Sequence, residues 1–261
     1  MVAERASINL IRLLADVVIA GSASVRRELS ARGFRKAMVV TTNGVDHLPY
    51  TNATTLEYQS RSGAVFIGRL HPSKNVSDAI LAWQNVSREF PDQRLTIIGA
   101  DAVPSYALEL RQLISELNLT AHVQIAGVVS QSEKLRYLEH SKLFLFPSGE
   151  EGWGIALAEA MRAALPCLTY DLPIFTEIFP VGRVVVPMHD YVALAERAKE
   201  LLRDESHRLR YAREALRLGK QFTWSRAAKI EAGVLNSLLG KKTRPIRGFL
   251  PAVARTGEEI L

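Results

Sequence analysis

The chain has 261 residues, enough for one large domain or two small ones. With 48% hydrophobic and 23% charged residues, its composition is that of a globular protein and excludes a disordered or fibrous one. The net charge of +6 is modest, and without basic-aromatic interleaving it does not indicate a nucleic-acid partner. The single cysteine, Cys167, excludes a disulfide framework or multi-cysteine zinc site, and its apolar neighbours predict a core thiol.

The first 62 residues predict a small unit followed by a boundary loop. Strands are predicted over 15–20 and 37–41, with a helix over 24–32 between them. Residues 47–62 are polar and lack periodicity, which is typical of a linker. Arg12 and Asp16 interrupt the first apolar stretch, unlike a secretory leader, so we expect a cytoplasmic protein.

From residue 63 onward, strands alternate regularly with helices. The strands are predicted at 64–67, 94–98, 122–125, 143–146, 167–170 and 184–186, and the helices at 76–90, 105–117, 131–140, from 154, 191–203, 205–220 and 225–239. This order predicts an α/β fold with a Rossmann-like, doubly wound parallel sheet. Residues 241–261 are predicted to be a disordered basic tail, whose charge would suit an anionic membrane surface as well as solvent.

The sequence FPSGEEGWGIALAEAM at 146–161 predicts a strand, a glycine-rich turn and a helix. Loops of this kind lie at the carboxyl edge of a parallel sheet, and the helix N-terminus there suits a phosphate or a sugar. Residues 155–165 are apolar except for Glu159 and Arg162, which predicts a helix buried all round. Because an unpaired buried carboxylate is costly, we expect Glu159 to face a ligand.

Arg69 and Lys74 follow the strand at 64–67, in the sequence GRLHPSKN. Two cations in six residues often belong to a solvated loop. The alternative is a diphosphate clamp, in which the planar arginine fork and the lysine charge neutralise a departing phosphate without a metal. The chain contains no G-x-G-x-x-G fingerprint, no Walker A motif and no convincing metal-ligand spacing.

Glu151 and Glu159 also invite comparison with the carboxylate pair of a glycosidase. Eight residues of continuous helix would separate them by about 12 Å. Glycosidase carboxylates lie roughly 5–9.5 Å apart. The spacing therefore favours two groups that hold opposite ends of an extended ligand.

Five stretches, in order along the chain, match elements of one enzyme family. They are NGVD at 43–46, FIGR at 66–69 with Lys74, the E-x(7)-E spacing at 151–159, Pro166 with YDLP at 170–173 and Glu177, and FTW at 222–224. With these residues the chain resembles the C-terminal, donor-binding half of retaining GT-B glycosyltransferases of group 1, family 4 type. The matches cover about residues 15 to 240.

The resemblance implies transfer of a hexose from a UDP- or GDP-sugar, with retention and without a metal or other cofactor. It implies catalytic roles for Arg69, Lys74 and Glu151, and substrate-binding roles for Gly68, Gly127, Val128, Gly152, Trp153, Gly154, Ile155 and Glu159. Arg69 and Lys74 would bind the diphosphate. Glu151 and the backbone after it would hold the sugar, Glu159 the ribose hydroxyls, and the turn at 127–129 the nucleobase.

The chain departs from the family pattern at two places. Ala164 stands where the family usually has glycine, for which we expect a mild packing change. More importantly, only about 45 residues precede Asp46 at the predicted hinge, whereas the family's acceptor domain is much longer. We therefore assign 1–46 to a remnant of a second Rossmann-like domain, 47–62 to a linker and 63–240 to the nucleotide-sugar-binding domain.

Three interpretations follow for function. The first is a glycosyltransferase acting on a glycan or lipid-linked acceptor, with another chain supplying the acceptor domain or with this chain being a fragment. The second is a nucleotide-sugar-binding module that does not transfer the sugar alone. The third is a structural protein on a decayed scaffold, which the retained Arg69, Lys74, Glu151 and Glu159 argue against. A peripheral membrane contact stays open beside them.

Overall fold

A computed structural model describes residues 10–45 and 60–240. The predicted hinge residue Asp46, nearly all of the 47–62 linker and the 241–261 tail lie outside the described residues. The described chain forms two compact units, one containing residues 10–44 and 222–240 and the other containing residue 45 and residues 60–221. The last helix therefore groups with the N-terminal residues, whereas the sequence placed it in a domain extending to residue 240.

The smaller unit contains two parallel strands and two of the chain's helices. These are β1 (Val17–Ala20), α1 (Ala23–Ala31), β2 (Ala37–Val40) and α9 (Trp224–Leu238). Ser22 begins α1 by accepting a hydrogen bond from the backbone N–H of Val25. A Cβ on Gly44 would lie 2.3 Å from the backbone nitrogen of Trp224, so this contact requires glycine.

The larger unit is built on a six-stranded sheet in which every pairing is parallel. Its strands are β3 (Ala64–Ile67), β4 (Leu95–Ile98), β5 (Val123–Gly127), β6 (Leu143–Phe146), β7 (Cys167–Tyr170) and β8 (Arg183–Val186). Its helices are α2 (Val76–Glu89), α3 (Tyr106–Glu116), α4 (Gln131–His140), α5 (Ile155–Arg162), α6 (Pro173–Ile178), α7 (Tyr191–Arg203) and α8 (Glu205–Gly219). The predicted α/β class is confirmed. Only α6 lacks a counterpart in the sequence prediction.

The strand order is β5-β4-β3-β6-β7-β8. Strands β4 and β5 therefore lie on one side of β3. Strand β6 pairs with the other side of β3, and β7 and β8 follow outward in that direction. Ligands in open parallel sheets bind beyond the carboxyl ends of the strands, at the point where the order reverses. In this sheet that point lies between β3 and β6, whose following loops carry the residues singled out by sequence.

Strands β3, β6 and β7 are buried along their whole length, which explains their near-continuous apolar sequences. Cys167 is fully buried, and burial raises the pKa of its thiol well above the ordinary value, so the predicted core thiol is confirmed. No helix in the described ranges, 10–45 and 60–240, has the length and hydrophobicity needed to cross a membrane.

Helix α5 is less uniformly buried than predicted. Leu157, Ala158, Ala160 and Met161 are inaccessible, but Ile155 at its N-terminus is 49% exposed. The expectation of burial all round is therefore wrong at the end that faces the carboxyl edge of the sheet.

Ala164, just after α5, adopts a left-handed backbone conformation with φ of 58°. An L-residue pays about 1–2 kcal/mol there, and glycine does not. The family preference for glycine at this position is thus explained by the backbone conformation. The expected packing change contributes less to the free-energy cost of alanine than this conformation does. The Ala164 methyl group packs against Ala212 of α8.

Helix α8 approaches α5 closely at Gly219. A Cβ on Gly219 would lie 2.7 Å from the backbone nitrogen of Arg162, so one helix must shift when a methyl group is added. We expect Gly219→Ala to lower the free energy of unfolding by about 1–3 kcal/mol. Gly152→Ala, whose Cβ would meet nothing within 4 Å, serves as the control and should change it by about 0.5 kcal/mol or less. Urea denaturation measures both, and equal effects would contradict the packing described.

Candidate functional site

The loops after β3 and β6 are joined to each other by hydrogen bonds. We call residues 68–75 the β3 loop and residues 147–154 the β6 loop. The backbone N–H of Gly149 donates to the carbonyl of Ser73 at 2.8 Å, and the side chain of Asn75 donates to the carbonyl of Pro147 at 3.0 Å. Asn75 has φ of 47°, a conformation that asparagine tolerates better than most residues. The two loops therefore form one unit at the reversal point of the sheet.

Lys74 makes the strongest contacts between these loops. Its Nζ donates to Glu151 Oε1 at 2.8 Å and to the carbonyl of Glu150 at 2.5 Å. The two side chains are only 11% and 14% exposed. A lysine ammonium has three donors, so one N–H of Lys74 is left for a ligand oxygen.

Arg69 has a fixed backbone and an exposed side chain. Gly68 donates to the carbonyl of Ile98, and Leu70 donates to that of Ala100, at 3.0 and 2.8 Å respectively. These bonds extend the β3–β4 pairing past the strand ends and hold the backbone on either side of Arg69. In the described part of the chain the Arg69 guanidinium makes no hydrogen bond or ion pair, so its five donors are available.

Helix α5 begins after Gly154 without a side-chain cap. Its first N–H groups have no acceptor within the helix, and its N-terminus carries partial positive charge. Gly154 has φ of 103°, which disfavours any residue with a Cβ. Gly152 is exposed and Ile155 is half-exposed, whereas Trp153 and Gly154 between them are buried, so the loop is accessible to an anion or a hydroxyl group at Gly152 and Ile155.

An aromatic cluster packs against residues 153 and 154 of the β6 loop. Trp153 is 6% exposed and packs edge-on against Phe179, with 5.4 Å between the ring centroids, so its ring belongs to the core. A Cβ on Gly154 would lie 3.1 Å from the rings of Phe175 and Phe179. Helix α6 and the residue after it thus fix the position of the β6 loop.

Glu159 lies one turn into α5 and is held by a residue that the sequence analysis did not name. Lys134, in the first turn of α4, donates from Nζ to Glu159 Oε1 at 2.6 Å. The side chains are 19% and 16% exposed. In the described structure the Glu159 carboxylate has a lysine as its partner, and the expectation that it faces a ligand stays a prediction.

The β5 turn, residues 127–129, precedes α4 at the same edge of the sheet. Gly127 has φ of 72°, and its carbonyl accepts from the N–H of Gly99 at 2.9 Å. Val128 is 77% exposed, which is unusual for a large aliphatic residue at a strand end. An apolar ring could pack against its side chain.

The helical spacing assumed for Glu151 and Glu159 is wrong. Only residues from Ile155 onward are helical, and Glu151 lies in the β6 loop. The two carboxylates nevertheless belong to different surroundings, since each is bound by a different lysine, Lys74 or Lys134.

Sequence reasoning missed Asn75, Lys134 and helix α6. A signal for Lys134 was present, because Ser130 and Glu133 form a capping box that fixes the start of α4 and places Lys134 in its first turn. A signal for α6 was weaker, since Pro173 opens a helix of only six residues.

Comparison with known proteins identifies the family. Residues 54–217, more than half of the chain, match the family model described as "Glycosyl transferases group 1". The chain belongs to the group 1 glycosyltransferase family. The resemblance stated from the sequence motifs is therefore confirmed at the level of the family.

Curated relatives of this group 1 glycosyltransferase include enzymes with different substrates. The chain is 31% identical to phosphatidyl-myo-inositol mannosyltransferase of Mycobacterium leprae over 190 residues, which are 70% of this chain and 49% of that protein. It is 28% identical to glycogen synthase of Mycobacterium tuberculosis over 225 residues, or 84% of this chain and 53% of that protein. The chain thus spans about half the length of the curated relatives it matches.

Solved structures share the fold. TarM of S. aureus aligns with a TM-score of 0.76 and 19% identity, over 90% of this chain and 46% of that one. HepE of Anabaena aligns with a TM-score of 0.75 and 20% identity, over 90% of this chain and 66% of that one. Both are larger than this chain, and both support the GT-B type of fold for the six-stranded sheet.

The Lys74–Glu151 pair can be tested by a double-mutant cycle on stability. We expect Lys74→Met and Glu151→Gln each to lower the free energy of unfolding, and the double variant to lose at least about 1 kcal/mol less than their sum, because the pair is largely desolvated. The control cycle uses Arg197 and Glu200, whose side chains are 52% and 42% exposed. Such a surface pair is worth roughly 0.2–1 kcal/mol. A site coupling no larger than the control coupling would contradict the arrangement.

Proposed function

We propose that this chain carries the donor-binding half of a glycosyltransferase that moves a sugar from a nucleotide diphosphate to an acceptor with retention of anomeric configuration. The observation that supports it best is what the β3 and β6 loops carry at the sheet reversal point. These are the Arg69 guanidinium, which makes no hydrogen bond or ion pair among the described residues, the remaining donor of Lys74, and the start of α5, which has no side-chain cap. Such a cluster suits a diphosphate that gains charge as the sugar leaves.

In this proposal Arg69 and Lys74 bind the diphosphate. Arg69 offers a planar fork to two oxygens, and Lys74 adds a hydrogen bond without releasing Glu151. Gly68 keeps the backbone beside Arg69 free of a side chain. The positive groups together stabilise the departing phosphate, so that the reaction requires no bound metal or other cofactor.

Glu151 and the backbone at 152–155 hold the transferred sugar. Lys74 occupies Glu151 Oε1, so the second carboxylate oxygen is the one that accepts from a sugar hydroxyl. Gly152, Trp153, Gly154 and Ile155 contribute backbone groups. We infer a hexose because each ring hydroxyl can both donate and accept a hydrogen bond. Such hydroxyls could donate to the Glu151 carboxylate and accept from the backbone N–H groups.

Glu159 accepts from the ribose, and Gly127 with Val128 borders the nucleobase. The exposed Val128 side chain offers an apolar surface to a base. A uracil or guanine nucleotide is proposed, and the complexes of HepE with UDP-glucose and of TarM with UDP make UDP and UDP-glucose the first ligands to test.

The second candidate is a nucleotide-sugar-binding module that does not transfer the sugar alone. It is favoured by the positions of the residues assigned above to the donor, all of which lie in the larger unit, where no residue has been assigned to an acceptor. The acceptor, a glycan or lipid-linked group, would then be bound by a separate polypeptide that completes the enzyme. We propose a cytoplasmic setting, with contact to an anionic membrane through the basic residues 241–247 as a further option.

Nucleotide-sugar binding predicts thermal stabilisation. Saturating UDP-glucose or GDP-mannose should raise the melting temperature, since a ligand that binds only the folded state stabilises it. Arg69→Ala and Glu159→Ala should weaken binding at least about tenfold, the loss expected when hydrogen bonds to a charged group are removed. Lys74→Ala should do so too, although it also removes the contact to Glu151.

Arg111→Ala is the matched control for Arg69→Ala. Arg111 is also an exposed arginine, but it lies on α3, outside the β3 loop, the β5 turn and the β6 loop. It should leave the ligand-induced shift unchanged. The absence of a shift with every uracil and guanine nucleotide-sugar would overturn both candidate functions.

Donor turnover separates the two candidates. We expect the sugar to be released or transferred with its anomeric configuration retained and with the rate unaffected by EDTA, measured by NMR of the product. An inverted product would refute the proposed mechanism. Binding without turnover, restored only by a second polypeptide that carries an acceptor domain, would establish the binding module.

A further inference from the structure

Lys134 lies outside the motifs that carry the family resemblance, although its partner Glu159 belongs to one of them, and the proposed function gives Lys134 no role. Lys134 comes from α4, which follows directly on the β5 turn, and Glu159 comes from α5. Their 2.6 Å contact therefore joins the segment proposed to border the base to the helix proposed to bind the ribose.

Lys134 engages only one oxygen of the carboxylate. The bond is made to Glu159 Oε1, and within residues 10–45 and 60–240 the other oxygen, Oε2, accepts no hydrogen bond. A carboxylate with one oxygen anchored and the other free can accept from a hydroxyl group in one fixed direction. The pair thus leaves Oε2 of Glu159 as an acceptor for a ligand.

The surroundings make this anchoring necessary. Ala158 and Ala160, on either side of Glu159, are fully buried, and the Glu159 side chain is 16% exposed. A carboxylate in such a place is costly without a partner and has several rotamers available. Lys134 compensates the charge and selects one rotamer.

We propose that Lys134 is a positioning residue that holds Glu159 so that Oε2 accepts a ribose hydroxyl of the donor, and that it thereby sets the preference for ribonucleotides over 2′-deoxyribonucleotides. This inference rests on the proposed function, which assigns Glu159 to the ribose. Lys134 itself does not touch the sugar. A lysine that only tied α4 to α5 would affect stability and leave this preference unchanged.

The test compares UDP with 2′-deoxy-UDP, and GDP with 2′-deoxy-GDP, by calorimetric titration of the full chain. Because both members of a pair carry the same diphosphate, the ratio of their dissociation constants removes any attraction between Lys134 and the phosphates. The wild type should prefer the ribonucleotide by about tenfold or more. Lys134→Met should reduce that ratio at least fivefold, and Lys134→Arg should restore most of it.

Lys199→Met is the matched control. Lys199 pairs with Glu196 on α7 and has a side chain 13% exposed, so it resembles Lys134 in burial and partner but lies on another helix. It should leave the ratio at the wild-type value. If Lys134→Met does not fold, Lys134→Gln, which keeps a shorter neutral donor, should lower the ratio to an intermediate value.

The outcomes separate this inference from the function on which it rests. A wild type that binds and discriminates, together with a folded Lys134→Met that discriminates equally well, overturns the role of Lys134 and leaves the proposed function intact. A wild type that binds both nucleotides equally overturns the ribose contact of Glu159 and the inference with it. A wild type that binds none of the four nucleotides overturns the proposed function itself.

Discussion

The site depends on the hydrogen-bonded join between the β3 and β6 loops. The β3 loop contains only one short 3-10 helix, Pro72–Lys74, the β6 loop contains no helix or strand, and each loop would carry unpaired backbone groups alone. Gly149 and Asn75 satisfy two of the carbonyls across the join, and Lys74 satisfies a third while also binding Glu151. Because β3 and β6 are adjacent and parallel, these bonds form only at the reversal point of the sheet. Fold and site are thus linked by a few named contacts.

Charge is arranged by the same topology. Each glutamate of the E-x(7)-E motif meets a lysine from a different part of the sheet edge: Lys74 follows β3, and Lys134 follows β5. The motif spacing brings two carboxylates to the carboxyl edge, where the β3 loop contributes Lys74 and helix α4 contributes Lys134. A carboxylate that is partly buried requires a cation as its partner. The two glutamates of the E-x(7)-E motif therefore need lysines such as Lys74 and Lys134, although the motif itself specifies no lysine.

The fold, and the places of Arg69, Lys74 and Glu151 in the loops after β3 and β6, could be predicted from the sequence, for physical reasons that also explain the failures. Buried parallel strands such as 64–67 and 143–146 are continuous apolar runs between turn residues. They can therefore be recognised from a few neighbouring residues of the sequence. Lys134 was missed because its contact with Glu159 spans 25 residues and depends on how α4 crosses the sheet. The positive φ of Ala164 was missed because it depends on the geometry at the end of α5, which composition does not report.

The paired charges determine how a ligand can enter. A site of free lysines and glutamates would have to exchange ion pairs for ligand contacts, and the energy of the broken pairs would be lost from binding. Among the described residues Lys74 retains an unused N–H, and Glu159 retains an unused oxygen. Under the proposed function, a nucleotide-sugar would therefore add its phosphate and ribose contacts to the existing pairs. A preorganised site of this kind spends little of its binding energy on rearrangement, which would leave more of it for stabilising charge on the departing phosphate.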